Sequence, residues 1–144
     1  MAAAELLCRI IGINPQSFSF EENIILEAEL FAQVCEQLKE HYRHQQSHYF
    51  RLMKYTTEME NAVLDANFIR YAINDILLSE EYSIEGIAYH TQIPEEVICD
   101  VIAGVNRAPS LPLSRRVINL HRSVKPELYR KMMEKILIAY VKAE

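Results

Sequence analysis

His41, His44 and His48 follow one another at steps of three and four residues, so a helix would bring them toward one face. His44 and His48, at i and i+4, have the spacing of a metal-ligand pair, with His41 or Glu40 as a further donor. Gln45 and Arg51 come next on that face, and neither a cysteine nor a second motif supports a metal centre. A hydrated polar face is therefore the expectation. Cys8, Cys35 and Cys99 are odd in number and far apart. That usage suits a reducing compartment and forms neither a zinc knuckle nor a disulfide framework. Cys99 reads as a packing residue, and His90 and His121, each alone, read as partly exposed helix-end residues. The sequence contains no glycine-rich phosphate loop and no nucleophile elbow. The expectation is a protein that is not an enzyme and carries no metal or cofactor.

Two charged groups hold more information. Glu95, Glu96 and Asp100 lie within one turn or so of each other in "IPEEVICD", and Arg107, Arg115 and Arg116 follow shortly after. The chain of 144 residues has 15 basic and 20 acidic side chains, which excludes a histone-like polycation. The imbalance is local. Residues 1–66 carry five basic and ten acidic groups, whereas the stretch 105–135 carries eight basic groups against Glu127 and Glu134. One basic region beside one acidic helix start is the pattern to explain.

The elements that must position these groups are helical, because apolar residues recur at helical spacing and no alternating strand is evident. A short helix is expected over 3–11, ended by Gly12, and Ser19 with Glu22 forms a capping box for the next. From Glu21 to Leu78 there is neither Gly nor Pro. Phe31, Leu38, Gln45, Leu52, Met59 and Ala66 recur every seven residues. One helix over 21–65 would run about 65 Å, far beyond the radius of about 15 Å of a compact chain this long. The segment must fold back as a hairpin, with a break at Thr57 and Glu60, or pair with another copy as a dimer. Tyr42, Gln45 and Tyr49 are poor seam residues for such pairing. The division expected is an acidic helical region, 1–66, and a domain of shorter helices, 67–144. These fall near 67–78, 83–90, 94–103, 111–121 and 126–141. No apolar run reaches the roughly 18–20 residues of a membrane span, and the first residues lack the form of a secretion signal. A cytoplasmic protein is expected.

In "SIEGIAYHTQIPEEVICDVIAG", Ser83 can cap one helix, "TQI" makes a turn, and Pro94 suits the first position of the next. Val97, Ile98 and Val101 then form a buried stripe, and Gly104 ends the helix. Two helices joined by so short a turn form a helix-turn-helix. Over 68–132 the chain resembles the helix-turn-helix family of phage lambda repressor and Cro, also called XRE-type. The order of "VICDVIAGVNRAPSLPLSRRVINL", with Gly104, Arg107 and Pro109, carries the resemblance. It departs from the family at Gln92, where a turn glycine is usual, and at Thr91, usually apolar.

The resemblance implies an all-α, five-helix DNA-binding domain in a transcriptional regulator, working as a homodimer on double-stranded DNA. It places the DNA-facing residues at Ser83, at the start of the second helix (Glu95, Glu96, Asp100), and in the basic segment that follows (Asn106, Arg107, Arg115, Arg116). Carboxylates on a base-reading face accept only from the cytosine amino group and repel phosphate. Acidic residues in a first helical turn also simply favour the helix dipole. The alternative is therefore a protein-interaction module on a degenerate helix-turn-helix, its acidic helix facing a basic protein partner.

Overall fold

The computed structural model describes residues 16 and 18–143, and the regular structure among them is helical, without a strand. Seven α-helices follow one another: α1 (Phe20–Gln45), α2 (Ser47–Met53), α3 (Thr57–Leu78), α4 (Ile84–Thr91), α5 (Glu95–Ile102), α6 (Leu111–Val124) and α7 (Pro126–Ala143). None of the described helices is long and apolar enough to cross a membrane. The helix expected over 3–11 lies outside the described residues.

Local chemistry explains most of the helix starts. The Glu22 N–H donates to Ser19 Oγ at 3.1 Å, and the Ser19 N–H donates back to Glu22 Oε1 at 3.2 Å. This reciprocal box satisfies two amides that the first turn of α1 would leave without partners. The gap between α2 and α3 differs from the sequence expectation. Lys54 takes a left-handed conformation (φ 54°, ψ 41°) and ends α2. Thr56, not Thr57, then caps α3 by accepting from the Met59 N–H. The helix expected from residue 67 thus begins at Thr57 and runs unbroken through residues 66 and 67.

Two compact units are distinguished: residues 39–126, and the described residues on either side, up to Leu38 and from Glu127. In 39–126 the chain folds back on itself. Lys39 Nζ lies 2.9 Å from Asp65, Arg43 lies 3.5 Å from Glu60, and Arg43 also donates to Asn61. The rising numbers on one side meet falling numbers on the other, which is an antiparallel hairpin. The core of this unit comes from one stripe of α3 (Leu64, Ile69, Ala72, Ile73, Ile76), with Ile87, Ile98 and Val101 from α4 and α5 and Val117 and Ile118 from α6. α3 packs on α5 and α6, and α4 packs on both α5 and α6. Each such Ile or Leu withdrawn from water contributes about 1.5–3 kcal/mol.

In the other unit, Leu30, Val34 and Leu38 form the buried stripe of α1 at four-residue steps, and Tyr129, Met132, Met133 and Ile136 that of α7. The seven-residue spacing read from the sequence does not make one seam. Leu38 is fully buried, while Leu52 and Met59 are 68% and 52% exposed. The breaks at Gln46 and Lys54 put these positions on three different helices, so a period that holds along one straight helix loses its meaning here.

Candidate nucleic-acid interface

Ser83 starts α4 by accepting from the Gly86 N–H at 3.0 Å. Gln92 ends it in a left-handed conformation (φ 58°, ψ 35°), the geometry that the position expects of glycine. A residue with a Cβ costs about 1 kcal/mol there. The Gln92 amide side chain donates to the Tyr89 carbonyl at 2.9 Å, which recovers part of that cost. Thr91, polar where an apolar residue was expected, is buried and satisfied by donating to the Ile87 carbonyl at 2.6 Å. Ile93 turns inward at 6% exposure. Pro94 sits at the N-cap, and not at the first helical position as the sequence suggested; Glu95 opens α5.

The end of α5 is closed by Gly104, at φ +77°. The Val105 N–H donates to the Asp100 carbonyl and the Gly104 N–H to the Val101 carbonyl, the paired bonds of a Schellman end. Asn106 then folds its side chain to accept from the Ala108 N–H, shaping the loop. Ser110 caps α6 by accepting from the Leu113 N–H.

Not every basic group points away from the protein. Arg107 donates to the Gly104 carbonyl at 3.2 Å and Arg116 to the Gln92 carbonyl at 3.2 Å, yet both side chains are exposed. Arg115 and Asn106 are half-buried. Arg116 therefore holds the turn between α4 and α5 to α6. Of the acidic set, Glu95, Glu96 and Asp100 are exposed and surround one shallow concavity together with Cys99. Cys99 is exposed, which corrects its reading as a packing residue.

A second correction concerns His121. It is fully buried, not a partly exposed helix end, and its Nε2 lies 2.9 Å from Asp75 Oδ2. Tyr42, also fully buried, donates its hydroxyl to the same oxygen at 2.8 Å. Burial would raise the Asp75 carboxyl. The hydrogen bonds from His121 and Tyr42, with the charge of Lys125 nearby, more than offset it and hold this carboxyl below the ordinary carboxylate range. His41 is lowered, chiefly by burial, while Asp75 pulls it back upward. Tyr, Asp and His together suggest acid–base chemistry, but a substrate has no access to a tyrosine and a histidine with no exposed surface. The cluster ties α1, α3 and α6 together within residues 39–126. Sequence reasoning missed it because its members lie 33 to 79 positions apart.

Two members of the histidine series bond locally. His44 lies 3.4 Å from Glu40 at i,i+4, and His41 shares a hydrogen bond with Gln45. Among the described residues no group of three or more potential ligands has the geometry for a metal ion. Comparison with known proteins gave no match: no family model fits the chain, and neither a curated protein nor a solved structure matches it.

Proposed function

We propose that this chain binds double-stranded DNA through α4 and α5, as a lambda-repressor-like regulator of transcription acting as a homodimer in the cytoplasm. On this reading α4 and α5 are the helix-turn-helix, within residues 39–126. The observation that carries it is the left-handed turn at Gln92 between two eight-residue helices, the first capped by Ser83 and the second closed at Gly104. That arrangement sets a short second helix at an exposed corner, where such helices enter the major groove. Arg107, Arg115 and Arg116 follow at positions suited to phosphate, whose contacts orient a protein even where few bases are read. Random duplex DNA titrated at low salt is the test. Binding should weaken with salt, and replacing Arg107 or Arg115 by Ala should reduce the salt slope by about one unit. No measurable binding at low salt would overturn the reading.

One observation favours the alternative, a protein-interaction module. The exposed face of α5 offers Glu95, Glu96 and Asp100, and two of the three nearby arginines already bond to backbone carbonyls. Such a face suits a basic protein surface.

A further inference from the structure

Where α1, α2 and the start of α3 meet, an open cavity of about 500 Å³ is lined by Arg43, His44, Ser47, Arg51, Lys54 and Glu60 over an aromatic floor of Phe50 and Tyr55. All of these residues belong to the unit 39–126. The geometry points to a binding site for a phosphorylated small molecule of nucleotide size, its phosphate on Arg51 and Lys54 and a flat ring against Tyr55.

The charges decide the class of ligand. Arg43 is already spent, at 3.4 Å from Glu40 and 3.5 Å from Glu60 and bonded to Asn61. Its one positive charge is shared between Glu40 and Glu60, the acid in the lining. Arg51 and Lys54 are exposed, and neither has an ion pair among the described residues. Arg51 and Lys54 therefore leave the lining with an excess of positive charge, with the Ser47 hydroxyl as a further donor. Guanidinium and ammonium groups in one cavity suit the oxygens of a phosphate, and the guanidinium fork can meet them with two bonds.

The rings decide the rest. Phe50 is 3% exposed, and its ring centre lies 5.9 Å from that of Tyr55. Tyr49 packs edge-on against Tyr55, with the ring centres 5.9 Å apart. Tyr55 lines the cavity and is only half-buried, so part of its ring is left for a ligand ring to contact. The volume lies inside the range of about 300–1,000 Å³ usual for small-molecule sites. A bare inorganic anion would leave most of it empty.

Titration calorimetry of the full chain with ADP and with pyrophosphate, without divalent metal and at about 0.15 M salt, tests the assignment. That salt screens diffuse attraction beyond about 8 Å. ADP should bind, and pyrophosphate should bind at least tenfold more weakly. Arg51→Gln with Lys54→Asn should weaken ADP at least tenfold. Both positions are exposed, and asparagine tolerates the left-handed backbone at 54, so folding is not at stake. Tyr55→Leu should weaken ADP and leave pyrophosphate unchanged. No ADP binding at about 1 mM, the weak end of specific recognition, would overturn the site. So would binding indifferent to the Arg51 and Lys54 changes, and pyrophosphate binding as tightly as ADP would remove the ring contact.

Discussion

The imidazole of His121 and the carboxylate of Asp75 meet at 2.9 Å in the interior, with the histidine fully buried and the Tyr42 hydroxyl on the same oxygen at 2.8 Å. Removing the carboxylate leaves two buried donors without their acceptor, at about 1–3 kcal/mol for each. Asp75→Ala should therefore lower stability in urea by several kcal/mol, and Asp75→Asn, which keeps one acceptor oxygen, by less. The pH dependence has a definite sign. A carboxyl lowered on folding contributes stability above its unfolded value near pH 4, and that contribution is lost as pH falls through the folded value. His41, lowered by burial, acts in the same direction from about pH 6.5 downward, because the unfolded chain takes up its proton first. Resistance to urea should fall on acidification in both windows, and Asp75→Asn should flatten the one below about pH 4.

Gln92 offers a test of the opposite sign. Its left-handed backbone (φ 58°) costs about 1 kcal/mol that glycine would not incur. Gln92→Gly should raise stability by up to that amount, less the hydrogen bond to the Tyr89 carbonyl. The contact from Arg116 goes to the backbone carbonyl and survives the change. A lower midpoint in urea for the glycine variant would mean that the side-chain bond outweighs the backbone cost.

The acidic start of α5 separates the two functional readings. Glu95→Gln, Glu96→Gln and Asp100→Asn together remove three charges from one exposed face. If that helix approaches DNA, the triple variant should bind random duplex more tightly than the parent, most clearly at about 0.01 M salt, where the Debye length is about 30 Å. If it faces a basic protein, affinity for DNA should not change. Parallel fluorescence titrations of the two proteins give the answer.

Charged substitutions in the N-terminal half distinguish the hairpin from a seam between copies. Leu38 is fully buried, so Leu38→Asp should destabilise by more than the roughly 2–5 kcal/mol of a Leu→Ala cavity. Leu52 is 68% exposed, so Leu52→Asp should leave the melting temperature nearly unchanged. If two copies pair through this exposed corner, the same substitution should turn a dimer into a monomer in light scattering. A parent protein that is monomeric at high concentration removes that route to the homodimer.

What could be read from the sequence was what short-range chemistry dictates. Ser83 and the Ser19–Glu22 pair announce their helices because a hydroxyl reaches an amide three residues on, whatever the rest of the chain does. Gly104 marks a helix end because only glycine enters the left-handed region without cost. The break after α2 has no such marker: Lys54 takes the left-handed conformation although it has a Cβ. With the turn unmarked, the sequence points to Thr57 where Thr56 caps α3, and it suggests a boundary near residue 67 inside a helix that runs unbroken. Cys99 and His121 were misjudged for a different reason. Both lie on amphipathic helices of plain pattern, and which side of the helix is covered depends on neighbours far away in the chain. Ser83, Glu95, Glu96 and Asp100 do share exposed positions on α4 and α5, but the carbonyl bonds of Arg107 and Arg116 had no sequence signal.

The Tyr42, Asp75 and His121 cluster also bears on the order of assembly. Its bonds span 33, 46 and 79 positions of sequence, so they form only once three separate helices have been brought together against the entropy of the intervening loops. Contacts of such span are expected to be absent from the nucleus on which the domain condenses. Loosening them changes the rate of escape from the native state more than the rate of reaching it. The cluster is thus expected to act as a latch on lifetime: removing it should speed unfolding of residues 39–126 more than it slows their folding.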